Sequence, residues 1–196
     1  MRRTDKRKTV LKRKPEGGAT LIELMIAMLV LAIGLGALTT LFVVSMATNN
    51  RNSKDTTATL LAQKVVEELS AQSVNATVVV NLTDCVGNNW QIPSTQGAAW
   101  PNGQGAALMN NPGSPFYGGI DFSQGIGNVP AGFAMQYVDC DPNGQQTTYD
   151  VRWNVISVTA NSTRLITASA RRLGTLSTGG GLYFALPVTL RTVGGS

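Results

Sequence analysis

The most unusual residue in the sequence is Glu23, a carboxylate within an otherwise uncharged apolar stretch. Two glycines, Gly17 and Gly18, precede the stretch, and no charged residue occurs from Leu24 to Asn50. A carboxylate inside a membrane-spanning helix costs about 2.5–3.5 kcal/mol on insertion scales, so such a residue indicates a function. Glu23 is therefore the first candidate functional residue. The alternative is that its side chain only reaches the membrane interface near the end of the helix.

A second group of carboxylates and amides has the spacing of a calcium-binding loop. The pattern D-x-D-x-N-G-x5-D is close to that loop, with Asp in place of the usual final Glu. It is formed by Asp139, Asp141, Asn143, Gly144 and Asp150. Pro142 lies inside the pattern, and the flanking segments alternate like strands. A type I hairpin turn is the preferred interpretation of these residues, and calcium binding is the alternative.

The two cysteines, Cys85 and Cys140, lie on the same side of the apolar stretch. In an oxidising compartment such a pair predicts a disulfide bond, and two free thiols are the alternative. The chain has no histidine, which excludes His-based catalysis and His metal ligation. The sequence shows no nucleophile–base pair, phosphate-binding loop or metal-ligand cluster, so we expect neither an enzyme nor a bound cofactor.

The positive charge of the 196-residue chain is concentrated at its start. Residues 1–18 contain eight basic and two acidic residues, a net charge of +6, while the remainder contains eight basic and nine acidic residues, a net charge of −1. A basic block beside an apolar segment stays on the cytoplasmic side of a membrane. We therefore expect no nucleic-acid partner, a cytoplasmic leader at residues 1–18, and a C-terminal part outside the cytoplasm.

The apolar stretch is long enough to cross a lipid bilayer. Residues 19–47 exceed the roughly 20 residues that span about 30 Å of hydrocarbon as a helix. Gly34 and Gly36 within it indicate either a weak point in the helix or a close contact with another helix. Ser45–Ala47 resembles a signal-peptidase site, but the apolar run is longer than the core of a signal peptide and carries a carboxylate.

The helical pattern continues beyond the apolar stretch. Residues 48–73 lack proline, and Leu61, Val65 and Leu69 recur at a spacing of four. This spacing predicts an amphipathic continuation whose apolar stripe packs against a folded domain.

The rest of the chain predicts a loop region followed by a sheet. Residues 74–131 are rich in Gly, Asn and Pro, which is typical of loops. This region contains four scattered aromatic residues, Trp90, Trp100, Phe116 and Tyr117. They either fix the loop to the sheet, which is the preferred interpretation, or form a ligand-binding surface. Residues 132–196 alternate in the manner of about four antiparallel strands, the last of them, near Leu182–Val193, at an edge because of Pro187. The predicted class is α+β, with a long N-terminal helix packed on a small antiparallel sheet.

The segment Gly18-Ala19-Thr20-Leu21-Ile22-Glu23-Leu24-Met25 resembles the class III signal of type IV pilins and type II secretion pseudopilins, usually written G-F-T-L-I-E. The resemblance implies a pilin-like fold, cleavage by a prepilin peptidase between Gly18 and Ala19, and N-methylation of the new amine on Ala19. Ala19 replaces the usual Phe, an accepted variant. The resemblance also implies that Glu23 neutralises the Ala19 amine of a neighbouring subunit, since a paired buried charge is much less costly than an isolated one.

Within this family the chain is most similar to minor pilins of the PilV type. The similarity rests on MLVLAIGLGALTTL, on the later Ala62–Leu69 and on Tyr149–Val158, and on the absence of the proline that major pilins carry in the apolar segment. It implies a minor subunit that assembles with other pilins at an inner-membrane platform, first in the lipid bilayer and then in a pilus. The alternatives are a minor pseudopilin of a type II secretion system, and an adhesin or other binding protein on a plain membrane anchor.

Overall fold

The computed structural model describes Gly18 and residues 20–74, 78–142, 144–159, 163–174 and 186–194. The chain divides into two compact units, Met1–Thr48 and Asn49–Ser196. The helices and strands of the described residues are α1 (Leu21–Ala71), β1 (Val79–Thr83), β2 (Asn89–Pro93), β3 (Ala98–Ala99), β4 (Gln104–Gly105), a 3₁₀ turn (Ile126–Asn128), β5 (Ala134–Cys140), β6 (Gln146–Thr159), β7 (Thr163–Arg172) and β8 (Val188–Gly194).

In the second unit, helix α1 turns one apolar stripe towards the core. The buried residues of the helix are Ala58, Leu61, Ala62, Val65 and Leu69. Their spacing of three and four residues places them on a single face. The predicted stripe is confirmed, while Leu60, one position away from it, is 58% exposed.

The sheet is built around β6, its longest strand. The strand order is β3-β6-β7-β8, with β4 and β5 also paired to β6. The β5–β6, β6–β7 and β7–β8 pairs are antiparallel, and the two-residue β3 runs parallel to β6. The predicted edge strand ends the order as β8, which begins directly after Pro187 because proline cannot donate to a strand ladder. Residues 182–185 of that prediction lie outside the described residues.

One face of the sheet packs on the helix. Tyr149, Val151, Trp153 and Val155 alternate along β6 and are fully buried. They share a face because side chains two residues apart point to the same side of a strand. The Tyr149 hydroxyl donates a hydrogen bond to the Lys54 carbonyl oxygen of α1 at 3.2 Å. Burial raises the pKa of this phenol above its ordinary value.

The opposite face of the sheet is covered by the segment between β2 and β5. The Asn154 side-chain amide donates to the carbonyl oxygens of Asn102 and Ala106 at 2.9 and 2.8 Å. Gly105 has φ +125°, and a Cβ there would lie 2.4 Å from the Trp153 carbonyl oxygen. The segment reaches β6 closely because glycine has no side chain at this position.

The C-terminal end of α1 is held by a buried arginine from β7. The Arg164 guanidinium donates to the carbonyl oxygens of Leu69 and Gln72, the latter at 2.6 Å, and to that of Thr95 at 2.6 Å. The last carbonyls of a helix have no partner within it and carry its negative dipole end, so a cation there is favourable. Burial lowers the pKa of Arg164, and the three carbonyl oxygens replace the water that its charge has lost.

We expect Arg164→Met to destabilise the second unit strongly. The methionine retains volume but leaves three carbonyl groups without their donor, at a total cost of about 3–5 kcal/mol. Arg164→Lys keeps the positive charge but has fewer hydrogen-bond donors, so we expect a smaller loss of stability. Urea unfolding of the detergent-solubilised chain, followed by tryptophan fluorescence, measures both. Equal stability of wild type and Arg164→Met would contradict this role for the guanidinium.

The region predicted to be a loop contains more structure than its composition indicates. It holds the antiparallel hairpin β1–β2 and the short strands β3 and β4, so the described part of the sheet has six strands where about four were predicted. The preferred interpretation of its aromatics is wrong for Trp100 and Phe116, which are 55% and 56% exposed, and for the exposed Tyr117. Only Trp90 of the four packs against the core.

Candidate processing and assembly site

The predicted cleavage position lies directly before the start of helix α1. Gly18 is exposed, and a Cβ added to it would meet no atom within 4 Å. Residues 1–17 and Ala19 lie outside the described residues, so cleavage and N-methylation at Ala19 stay predictions. The exposure of Gly18 is what a peptidase site requires of its substrate.

Glu23 lies in the first turn of α1. The backbone N–H groups of Glu23 and Leu24 donate to the Thr20 carbonyl oxygen at 3.0 and 3.2 Å, and these bonds start the helix. A carboxylate in the first turn is favourable because the N-terminal end of the helix dipole is positive. Within the described residues, no ion pair reaches the Glu23 carboxylate. Its oxygens are therefore available to accept a hydrogen bond from a cationic group outside the described residues.

The first unit of the chain exposes apolar side chains around the whole circumference of α1. From Leu21 to Thr48 every described side chain is exposed, including Leu21 at 77% and Leu41 at 66%. The helix is long and apolar enough to cross a membrane. Such a surface is stable only in contact with lipid or with other apolar helices, since a large exposed apolar surface in water is unfavourable.

The second unit contains the predicted disulfide bond. Cys85 and Cys140 are joined, with their Cα atoms 5.9 Å apart. The bond links the β1–β2 turn to the end of β5, and the Cys85 N–H donates to the Val138 carbonyl oxygen at 3.3 Å. The hairpin is thereby fixed to the edge of the sheet.

Asp84, next to this disulfide, was not singled out by the sequence. Its carboxylate accepts hydrogen bonds from the backbone N–H groups of Val86, Asn88 and Val138, from the Asn88 side-chain amide and from the Trp90 indole. Burial alone would raise the pKa of Asp84, but these hydrogen bonds outweigh it and the pKa is lowered. The charged carboxylate therefore organises the turn. The sequence Asp-x-x-x-Asn at a hairpin is the signal that could have indicated it.

The lowered pKa of Asp84 predicts acid-dependent stability. An unfolded aspartate titrates near pH 3.9, so the contribution of Asp84 to the free energy of unfolding is complete above about that pH and decreases as the pH falls towards the folded pKa. We expect Asp84→Asn to be less stable than wild type at neutral pH. Between about pH 5 and 3 the variant should lose less stability than wild type does. Asp121→Asn, which removes a carboxylate that accepts the Ser123 N–H, is the control. Thermal unfolding across this pH range measures the difference, and parallel pH profiles for wild type and Asp84→Asn would contradict it.

Two of the candidate calcium ligands, Asp139 and Asp150, are not brought together. Asp139 pairs with Thr147 and Asp150 with Gln136, so the two carboxylates point to opposite faces of the β5–β6 ladder. Asn143 lies outside the described residues, and among those described no group of three or more acidic, Cys or His side chains could hold a metal ion. The turn interpretation is supported, because the Gly144 N–H donates to the Asp141 carbonyl oxygen at 2.8 Å and Gly144 has φ +78°.

Asp150 instead belongs to a buried ion-pair network. Arg152 contacts both oxygens of its carboxylate at 2.8 Å, and Arg171 lies 3.2 Å from one of them. Both guanidinium groups also lie over the Phe122 ring, at 5.0 and 4.4 Å from its centroid. Arg152 donates further to the Gln124 carbonyl oxygen at 2.6 Å. The network fastens the segment between β2 and β5 to the sheet, and within it the charge of Asp150 is compensated by two arginines.

Comparison with known proteins identifies the N-terminal segment. Residues 13–39 match the family model described as the prokaryotic N-terminal methylation motif. The matched span contains Gly18, Ala19 and Glu23. Searches of the curated proteins and of the solved structures gave no match.

The matched motif and the fold agree with each other. A class III prepilin signal implies processing by prepilin peptidase, assembly with other pilins and anchoring in the inner membrane. The described residues supply the long N-terminal helix and the β-sheet that packs on its second half, which is a pilin-like α+β architecture. Residues 13–39 therefore carry a class III prepilin signal, which together with the pilin-like fold supports a type IV pilin-like precursor.

Proposed function

We propose that this protein is a minor pilin: a structural subunit, not an enzyme, that acts in the assembly, initiation or modification of a type IV pilus. The observation that carries the proposal is the prepilin signal at the start of one uninterrupted helix, Leu21–Ala71, which is apolar as far as Met46 and amphipathic beyond it. The absence of proline from the apolar segment supports a minor subunit, because major pilins carry a helix-breaking proline there.

The proposed mechanism is the transfer of one helix between two apolar environments. Before assembly, lipid surrounds the exposed apolar side chains of residues 21–48. In the filament, the same side chains pack against the helices of neighbouring subunits. Lipid tails are as apolar as these side chains, so the exchange has little net hydrophobic cost, and packing and polar contacts decide its direction.

Glu23 supplies the polar contact in this mechanism. Cleavage after Gly18 creates a cationic amine on Ala19, and the Glu23 carboxylate of one subunit neutralises the amine of the next. A buried charge is tolerated when it is paired, whereas removal of its partner leaves an uncompensated charge at a cost of about 3–5 kcal/mol. The pairing therefore also sets the axial register between subunits.

The orientation and the partners follow from the charge distribution. The leader, with its net charge of +6, remains in the cytoplasm and presents Gly18 to prepilin peptidase there. The second unit, with its disulfide bond, lies in the periplasm before assembly, where thiols are oxidised. The inner-membrane assembly platform is the partner that extracts the helix from the bilayer.

The mature N-terminus is the decisive measurement. Mass spectrometry of the membrane-bound protein should give a chain that begins at N-methylated Ala19. A chain that retains Met1, or one that begins at Thr48, would show a plain anchor or a cleaved signal peptide and would remove both the pilin and the pseudopilin. Recovery of the subunit in sheared pili, with secretion of exoproteins intact in a deletion strain, distinguishes a minor pilin from a type II secretion pseudopilin.

A further inference from the structure

The second unit has a surface groove between the β1–β2 hairpin and the sheet. Its volume is about 460 Å³, and its lining residues are Asn88, Asn89, Trp90, Gln136, Val138 and Thr148. Gln136 and Val138 share a face of β5, and Thr148 is the partner of Val138 on β6. This is the face opposite the helix, because Tyr149, next to Thr148, points to the helix. The groove therefore does not involve helix α1, and the segment between β2 and β5 leaves it open to solvent.

The walls of the groove are held in place by the Asp84 turn and the disulfide bond. The Asp84 carboxylate accepts from the side-chain amide of Asn88 at 2.8 Å and from the Trp90 indole at 3.4 Å. The Cys85–Cys140 bond fixes the same turn to β5. The Asn88 amide and the Trp90 ring are thus oriented before any ligand arrives, which lowers the entropic cost of binding.

The lining is polar and carries no charge. Three of the six side chains are carboxamides, one is a hydroxyl and one is an indole. Asp150, on the same face as Gln136, has its charge compensated by Arg152 and Arg171. The Asp84 carboxylate beside the groove already accepts hydrogen bonds from Val86, Asn88, Trp90 and Val138. A charged ligand would therefore lose its hydration without gaining a direct ionic partner from the lining, so the lining favours a neutral ligand.

The lining selects for hydroxyl groups. A carboxamide presents an acceptor oxygen and two N–H donors, and a hydroxyl both donates and accepts, so the two pair in either direction. An indole offers a flat apolar surface with a polar edge, and here the edge is directed to Asp84. A sugar ring combines hydroxyl groups at its rim with C–H groups on its face. We propose that this groove binds a neutral saccharide, with Asn89 and Gln136 pairing to its hydroxyl groups.

The proposal is tested with the full chain in detergent on an array of immobilised neutral oligosaccharides, including chitotriose, cellotriose and lactose. We expect retention on at least one glycan and a decrease of about tenfold in affinity, equivalent to about 1.4 kcal/mol, for Asn89→Ala with Gln136→Ala, because two hydrogen bonds to the sugar are lost. Both side chains are exposed, so their loss leaves the fold intact. Asn110→Ala removes an exposed carboxamide outside the groove and should bind as wild type does.

Two results would overturn the proposal. One is no retention on any glycan of the array. The other is equal retention of wild type and the double variant, which would place any sugar contact elsewhere. Because binding is measured in detergent, these outcomes do not depend on whether the protein is a pilin.

Discussion

A chain that carries Gly18→Val is expected to accumulate as a full-length precursor in the membrane. The prepilin peptidase accepts little besides glycine before the cut, so a branched side chain at this position should abolish cleavage. The substitution leaves the folded part undisturbed, because a Cβ on Gly18 meets no atom within 4 Å. Gel mobility and mass spectrometry of the N-terminus report the result as a chain longer by 18 residues.

Gly17→Val is the matched control for this experiment. It places the same side chain one residue earlier, outside the peptide bond that is cut, and we expect it to be processed. If Gly18→Val yields mature protein at the wild-type rate, the segment is not a prepilin cleavage site. If both variants stay uncleaved, the peptidase requires both Gly17 and Gly18. That result would still support the predicted cleavage position.

Glu23→Gln is expected to separate processing from assembly. The amide has nearly the same shape as the carboxylate, so the peptidase should still cleave the chain and the helix should still insert. In the filament the Ala19 amine of the neighbouring subunit would have no counter-charge, at a cost of about 3–5 kcal/mol, which corresponds to a loss of about 100-fold or more in incorporation. The amount of the subunit in sheared filaments, relative to the amount in membranes, measures this loss.

Asp55→Asn provides the control on the same helix. Asp55 is an exposed carboxylate that contacts Arg51 at 3.9 Å, and a surface pair of this kind contributes little. We therefore expect its variant to enter filaments as wild type does. Undiminished recovery of Glu23→Gln would remove the charge-pairing role and leave Glu23 as a carboxylate that stabilises the first turn of α1.

The helix was predictable because its signals are local. The uncharged stretch after Glu23 specifies an apolar environment for the first part of α1. The spacing of Leu61, Val65 and Leu69 specifies one buried face of its second part. The alternation of Tyr149, Val151, Trp153 and Val155 specified β6 in the same way. These patterns depend only on neighbours in the chain.

The segment between β2 and β5, which covers the face of the sheet opposite α1, was not predictable. The contacts that position it join residues that are distant in the sequence. Its glycines were interpreted as turn residues, whereas Gly97 and Gly105 allow the backbone to approach β6, where a Cβ would lie 2.6 and 2.4 Å from carbonyl oxygens. Its anchors are also distant in sequence, as when Arg152 reaches the Gln124 carbonyl oxygen. The exposed Trp100 shows that aromatic type alone does not indicate burial.

The candidate calcium ligands show the same limit at a smaller scale. The spacing of Asp139, Asp141 and Asp150 fits a binding loop, but a strand alternates its side chains between two faces. Asp150 consequently faces Arg152 and Arg171 and not Asp139. The spacing of a calcium-binding loop predicts a site only when the backbone between the ligands is a loop.

The attachment of α1 to the sheet has a mechanical consequence. Within the second unit the helix is fastened near Lys54 by the Tyr149 hydroxyl and at Leu69 and Gln72 by Arg164. A pull along the helix axis is therefore carried at both ends of the buried half into the adjacent, antiparallel strands β6 and β7. The force is distributed along the whole interface between α1 and the sheet. The helix must therefore slide along the sheet as one unit before the two separate.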